Sequence, residues 1–185
     1  MTADERSRLE ALDAVVRSNE VRAKIKPVVD RVCAALAQQP DAVIAWEPIP
    51  LETFRQKLPP KIRSGWVFVL RAGADTGAER HPNSHQRMMT LRGTGDMRVR
   101  APHGESSTGP TSSSPWQSNV LVSEASARLE RRWISIPPNV WHRPVVGKEA
   151  DWVVVSFHTV PAEELIEEKL DEVAGETKQK KYVEH

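Results

Sequence analysis

Between Trp66 and Val160 the sequence is a succession of short apolar runs broken by turn-forming residues, with no helical period among them. "WVFVL" (66–70), "RMMTL" (87–91), "DMRVR" (96–100), "NVLVS" (119–123), "RWISI" (132–136) and "DWVVVSF" (151–157) are separated by Gly, Pro, Asn or Ser. β-Branched and aromatic residues fit a pleated, half-buried surface, so each run reads as a strand. Many short strands with turn signals between them imply an all-β sandwich or barrel, and the missing helices argue against βαβ units. "AVIAW" (42–46) is a further apolar run ahead of this region.

The flanks differ. In residues 3–38, Leu9, Leu12 and Val16, then Val21, Ile25, Val28, Val32 and Leu36, recur at three- to five-residue steps. That period predicts an amphipathic helical arm packing on the body or on a partner subunit. Thr2 followed by Glu5 fits a capping box. The break near "RSNE" favours two helices, and Pro27 should kink the stretch or start the second. At the other end, Pro161 and "AEELIEEKLDEVAGE" predict a C-terminal helix, amphipathic through Leu165, Ile166, Leu170 and Val173. The expected organisation is a helical arm (1–40), a β-barrel (41–160) and a C-terminal helix and tail (161–185). The Ser-, Gly- and Pro-dense stretch 101–119 reads as a surface loop between two halves of the β region, with His103 solvated in it.

Composition narrows the function. The chain has 185 residues and net charge +1, with no basic run, so nucleic acid is not an expected partner. The longest apolar runs are too short to span a bilayer, and the N-terminal residues show no signal-peptide core, so no membrane role is expected. Cys33 is the only cysteine. It excludes an internal disulfide, fits a cytoplasmic setting and reads as an ordinary buried residue of the arm. No G-x-S-x-G, phosphate-binding glycine loop or zinc helix motif occurs, and the G-x-G of "LRGTGDMRV" sits between two strands as a turn.

"GADTGAERHPNSHQRMMTLRG" (73–93) is the stretch most loaded with metal-ligand side chains. It places Glu79, His81, His85 and Gln86 within eight positions, between two glycines. Further on, "SIPPNVWHRPV" carries Pro137, Asn139 and His142. The two stretches, in this order around a variable insertion, resemble the paired motifs of the cupin superfamily over roughly residues 43–160. The resemblance implies a double-stranded β-helix, a jelly-roll barrel that is often dimeric. It also implies a divalent metal, held here by Glu79, His81, Gln86 and His142. Glu79 stands where the family has its first histidine, Gln86 where it has glutamate, and Asn139 where it often has glycine.

This set of two imidazoles, one carboxylate and one amide keeps the single negative charge of the usual three-imidazole, one-carboxylate set. A 2-His-1-carboxylate group of His81, His142 and Glu79 suits Fe(II), with Mn(II), Ni(II) and Zn(II) as alternatives. Side chains alternate along a strand, so if Gln86 points inward then Met88 and Thr90 follow, and His85 turns away. In the rival register His85 replaces Gln86 at the metal. In a metal-free reading, Glu79 pairs with Arg80 or Arg71 instead. His158 reads as a rim or packing residue, and alternation turns the Trp141 ring away from the metal.

The function these residues suggest is a metal-dependent enzyme acting on a small organic molecule, preferably an Fe(II) dioxygenase. A metal-dependent isomerase, decarboxylase or lyase uses the same ligands with the metal as Lewis acid. A non-catalytic small-molecule or metal-binding sensor is the reading from another class. A homodimer is expected on the resemblance.

Overall fold

The computed structural model describes residues 1–54, 57–100, 115–171 and 174–181. Most of the Ser-rich loop with His103 (101–114) lies outside the described residues, as do Tyr182 and His185. No helix among the described residues is long and apolar enough to cross a membrane.

The N-terminal arm forms two helices, α1 (Ala3–Arg17) and α2 (Asn19–Ala37). Thr2 caps α1 by accepting from the Glu5 amide at 3.2 Å. Ser18 ends α1 and starts α2: its amide donates to the Val15 carbonyl and its hydroxyl accepts from the Val21 amide. Capping needs an extended residue with a short polar side chain, and serine supplies both. The break therefore falls at Ser18, while Pro27 is accommodated inside α2. The apolar stripe expected from the sequence is the one buried: Leu9, Leu12, Val16, Val21, Ile25, Val28, Val32 and Leu36.

Strands follow as β1 (Ile44–Pro48), β2 (Ser64–Leu70), β3 (Ala78–Arg80), β4 (Gln86–Arg92), β5 (Thr94–Arg100), β6 (Trp116–Gln117) and β7 (Val120–Val122). After a one-turn helix α3 (Leu129–Arg132) come β8 (Trp133–Ile136), β9 (His142–Val146), β10 (Trp152–His158), β11 (Ile166–Asp171) and β12 (Glu176–Lys181). They build two sheets, one in the order β1-β2-β10-β4-β8 and one in the order β12-β11-β3-β9-β5-β6, with β7 also on β5. Every pairing is antiparallel. From β2 to β5 and from β7 to β11 the chain crosses from one sheet to the other at each step, as in a jelly roll, while β1–β2, β5–β6–β7 and β11–β12 stay within one sheet.

The arm packs on the outer face of the first sheet, so β2 and β10 are buried on both faces along their whole length. Val67, Val69, Met89, Val153, Val155 and Phe157 face the helices. Trp66, Phe68, Leu70, Met88, Trp152 and Val154 face the barrel interior. Each such aliphatic or aromatic side chain, fully buried, contributes roughly 1.5–3 kcal/mol, which explains why these strands read as continuous apolar runs. Cys33 is only partly buried, and the Arg92 guanidinium donates to its sulfur at 3.2 Å.

Among the described residues the expected C-terminal helix does not form. Pro161 leads into a single 3₁₀ turn (Ala162–Glu164), and the chain then extends into the hairpin β11–β12. The glutamates, lysines and leucines of this segment favour helix intrinsically, but a free edge of β3 offers a ladder, and tertiary pairing overrides a weak propensity. Lys169 pairs with Glu79 across β11 and β3, and Glu79 pairs with His142 across β3 and β9.

Candidate metal centre

Three neighbouring strands carry one inward row: Lys169 on β11, Glu79 on β3 and His142 on β9. Directly opposed residues in an antiparallel pair have Cβ atoms about 4.5–5.5 Å apart, so the row brings an ammonium, a carboxylate and an imidazole together. His81 lies two residues past Glu79 and returns to the same face. On the facing sheet, Gln86 on β4 pairs with His158 on β10, and Met88 pairs with Ser156.

Glu79, His81 and His142 each present one ligand atom, and these atoms lie within 4.8 Å of one another. That group could hold a metal ion. Glu79 Oε1 is 3.4 Å from His142 Nε2. The orientation makes no hydrogen bond there, and Nε2 of this fully buried ring has no hydrogen-bond partner. Its Nδ1 is 3.1 Å from the Val140 carbonyl. His81 Nδ1 lies 3.0 Å from the Ile166 carbonyl. A carbonyl can only accept, so both rings carry a proton on Nδ1, which leaves Nε2 as the atom available to a metal.

Electrostatics supports a neutral His81 ring beside an ionised acid. Burial, then the neighbouring His142, holds His81 down to about 4, against the opposing pull of Glu79. Burial alone would raise the Glu79 carboxyl, but the His142 imidazole and then the Lys169 ammonium outweigh it and hold the group well below the carboxylate range. Glu79 Oε2 accepts from Lys169 Nζ, which also donates to the Thr76 carbonyl at 3.2 Å. The carboxylate thus keeps one oxygen toward the histidines and gives the other to a lysine.

Gln86 points inward, with Met88 and Thr90, as alternation requires. Its Nε2 donates to Ser156 Oγ at 3.2 Å, and its buried Oε1 has no hydrogen-bond partner. His85 faces the opposite way, 2.7 Å from the Ser135 hydroxyl beneath the start of α1. The register with Gln86 inside is the one adopted. The pairings of Glu79 with Arg80 or Arg71 do not form: Arg80 bonds Glu168 and stacks on Trp141, and Arg71 caps the carbonyls of Leu36, Gln39 and Ala42. Trp141 accordingly turns away from the histidines.

His158 is not at the rim. It is fully buried, edge-on to His81 with ring centroids 4.9 Å apart. Hydroxyls hold both its nitrogens, Ser84 Oγ at 3.3 Å from Nδ1 and Ser156 Oγ at 3.2 Å from Nε2. Burial, then His81 and His142, pushes its pKa well below the ordinary range, so it is a neutral imidazole beside the cluster. Sequence reasoning also missed Lys169 and the buried Glu167. Burial, then Glu79, pushes the Glu167 carboxyl up. The available signal was the alternation Leu165, Glu167, Lys169 in a segment whose composition spoke for helix.

Asn139 has φ 63°, in the left-handed region that glycine and asparagine adopt most readily. Its amide donates to the His81 carbonyl at 3.1 Å. The asparagine thus makes a left-handed turn and ties the two stretches together.

Below the polar cluster the barrel is filled. Phe68, Leu70, Met88, Met97, Trp152 and Val154 close the floor beside Glu79 and Gln86, leaving a cavity of about 20 Å³. That is room for about one water-sized guest.

No protein-family model matches the chain, and no curated protein matches it. Solved structures with a similar fold include pumpkin seed globulin, at 17% identity over 70% of this chain and 28% of that one, TM-score 0.48. An oxalate oxidase in complex with glycolate matches at 17% identity over 63% of this chain and 51% of that one, TM-score 0.43. The capsular polysaccharide assembling protein CapF from Staphylococcus aureus matches at 13% identity over 75% and 32%, TM-score 0.45. The chain therefore spans about half or less of these proteins. The likeness concerns the fold alone.

Proposed function

We propose that the chain binds one divalent metal ion through Glu79, His81 and His142 and acts on a small organic molecule, with Fe(II)-dependent dioxygenation as the preferred chemistry. The observation that supports this is the convergence of three ligand atoms within 4.8 Å inside the barrel. The residues fit such an ion: two imidazoles whose Nδ1 atoms are turned to carbonyls and one ionised carboxylate oxygen. A metal bound there supplies a Lewis acid with open positions, and in its ferrous form this ligand type supports oxygen chemistry. The chain's own residues then hold and orient. Val140 and Ile166 fix the two rings, Lys169 fixes the carboxylate, and the unpartnered Gln86 Oε1 would accept a hydrogen bond or serve as a weak fourth ligand. The apolar floor excludes water. Mn(II), Ni(II) or Zn(II) in the same set supports isomerase, decarboxylase or lyase chemistry.

The small cavity favours a second reading, a metal or small-molecule binding protein without turnover. Elemental analysis of protein purified without chelator tests the common ground; about one metal ion per chain is expected for a single mononuclear site. Oxygen consumption by anaerobically reconstituted Fe(II) protein with candidate substrates then separates the readings, since a binder consumes none above the background of free iron.

A homodimer accords with the half-exposed Val43 and Trp46 at β1, the edge of the helix-covered sheet. Light scattering tests it, with a mass twice that of the chain expected. A reducing, cytoplasmic setting is the reading that suits Cys33.

A further inference from the structure

Lys169 stands closer to the candidate metal ligands than a cation ordinarily should. Its ammonium bonds Glu79 Oε2, the one carboxylate of the ligand group, and lies 4.0 Å from Glu167 Oε1. Lys169 and Glu79 are direct cross-strand partners, so the contact is set by the β3–β11 register and not by a wandering side chain. Glu167 in turn meets Lys180 Nζ at 3.2 Å. Two carboxylates and two ammoniums therefore balance at this end of the barrel without a metal.

We propose that Lys169 is a built-in competitor cation that sets the metal affinity of the centre: it neutralises Glu79 in the metal-free protein, and an incoming divalent ion must share that carboxylate with it. The inference rests on the metal-binding reading. Two effects of opposite sign act here. By gripping Oε2, Lys169 orients Oε1 toward the histidines, which favours binding. By placing a unit positive charge within a few ångströms of a dication, beside a carboxylate that is itself largely buried, it opposes binding. The electrostatic cost is the larger, because Coulomb repulsion there is only partly screened, whereas β3 already fixes the carboxylate backbone between two strands.

The test compares full-length wild type, Lys169→Met and Lys169→Arg by competitive titration of Mn²⁺ and Zn²⁺ against a chromophoric chelator, with metal content read by elemental analysis. Methionine keeps the length of the stem without the charge, and arginine keeps the charge. Near-ultraviolet circular dichroism shows which variants are folded. The expected result is metal bound about tenfold or more tightly by Lys169→Met, with Lys169→Arg near wild type. Uptake by Lys169→Met alone supports the competitor role while counting against metal use by the natural chain. Equal affinity in all three, or weaker binding by folded Lys169→Met, overturns the inference and leaves the metal reading standing. If Lys169→Met does not fold, wild-type affinity in Lys169→Arg no longer speaks for it, and Lys169→Gln takes its place in the same titration. Absence of uptake by wild type and every neutral variant overturns both.

Discussion

Glu79 and His142 come from motif stretches some sixty residues apart in the chain and meet as direct partners on β3 and β9, with Oε1 3.4 Å from Nε2. A single-residue slip of β3 against β9 turns Glu79 outward, because side chains alternate along a strand. The register between these strands is therefore the structural basis of the centre. Asn139 reinforces it by bonding the carbonyl of His81 from the turn that precedes β9.

Replacing His142 with alanine should abolish metal retention. The ring is fully buried and contributes the one orphaned nitrogen of the cluster among the described residues. His158, the nearest further imidazole to His81, is held by two serines and does not reach into the vacated position. Metal content of the folded variant after dialysis, close to zero, is the expected result; full content speaks against the ligand assignment.

His85→Ala should leave metal content near normal, since its ring lies outside the barrel against Ser135 and Glu5. The visible consequence is a loss of stability of about 1 kcal/mol, for one side-chain hydrogen bond with a partly exposed ring. Elemental analysis and urea denaturation read the two quantities separately. A large loss of metal contradicts the inward orientation of Gln86.

How far the sequence revealed this molecule can be traced residue by residue. The double-sided burial of β2 and β10 made them apolar runs, and period-two alternation from Gln86 correctly turned Met88 and Thr90 inward. Strands β3 and β9 left little trace: three residues in one case, a Pro-bearing five in the other. Their identities are set by ligand side chains and partners, not by local β propensity. The hairpin β11–β12 was misread because Glu, Lys and Leu favour helix locally, and only the neighbouring edge of β3 decides otherwise. That error hid Lys169 and Glu167. His158 reads from the sequence as a rim or packing residue because nothing local signals that hydroxyls of Ser84 and Ser156 surround it.

Gly95→Ala should be severely destabilising. A β-carbon there sits 2.1 Å from Trp152 Cε3, well inside contact distance. Trp152 cannot yield easily: it is fully buried and its Nε1 donates to Thr90 Oγ1 at 3.0 Å. Overpacking of this kind costs about 3 kcal/mol. Thermal denaturation checks it, and a melting temperature equal to wild type contradicts the packing described here.

Asp13 anchors the arm to the barrel. Its carboxylate takes both terminal nitrogens of Arg132 and the Trp133 indole N–H, the latter at 2.9 Å. Asp13→Ala leaves a nearly buried guanidinium without its carboxylate and should cost about 3 kcal/mol. Urea denaturation measures it. Because Asp13 lies on the outer side of the helix-covered sheet, metal content of the folded fraction should be unchanged.

Acid should loosen the same arm through Glu5. Its carboxylate accepts two bonds from Arg87, at 2.6 and 2.8 Å, and one from Ser135 at 2.7 Å, with His85 close by. Burial pushes its carboxyl up, but the Arg87 and Ser135 bonds prevail and hold it below the ordinary value of 4.5. A carboxyl depressed on folding binds its proton less readily in the folded chain than in the unfolded one. Its stabilising contribution is therefore complete above the unfolded value and fades as the pH falls through the folded one. Glu5→Gln removes that contribution without removing the side chain. The stability difference between wild type and Glu5→Gln, from urea denaturation at a series of pH values, should be constant above about pH 5.5 and shrink toward acid. A difference that stays constant into strong acid contradicts the Glu5–Arg87 contact as the origin of the effect.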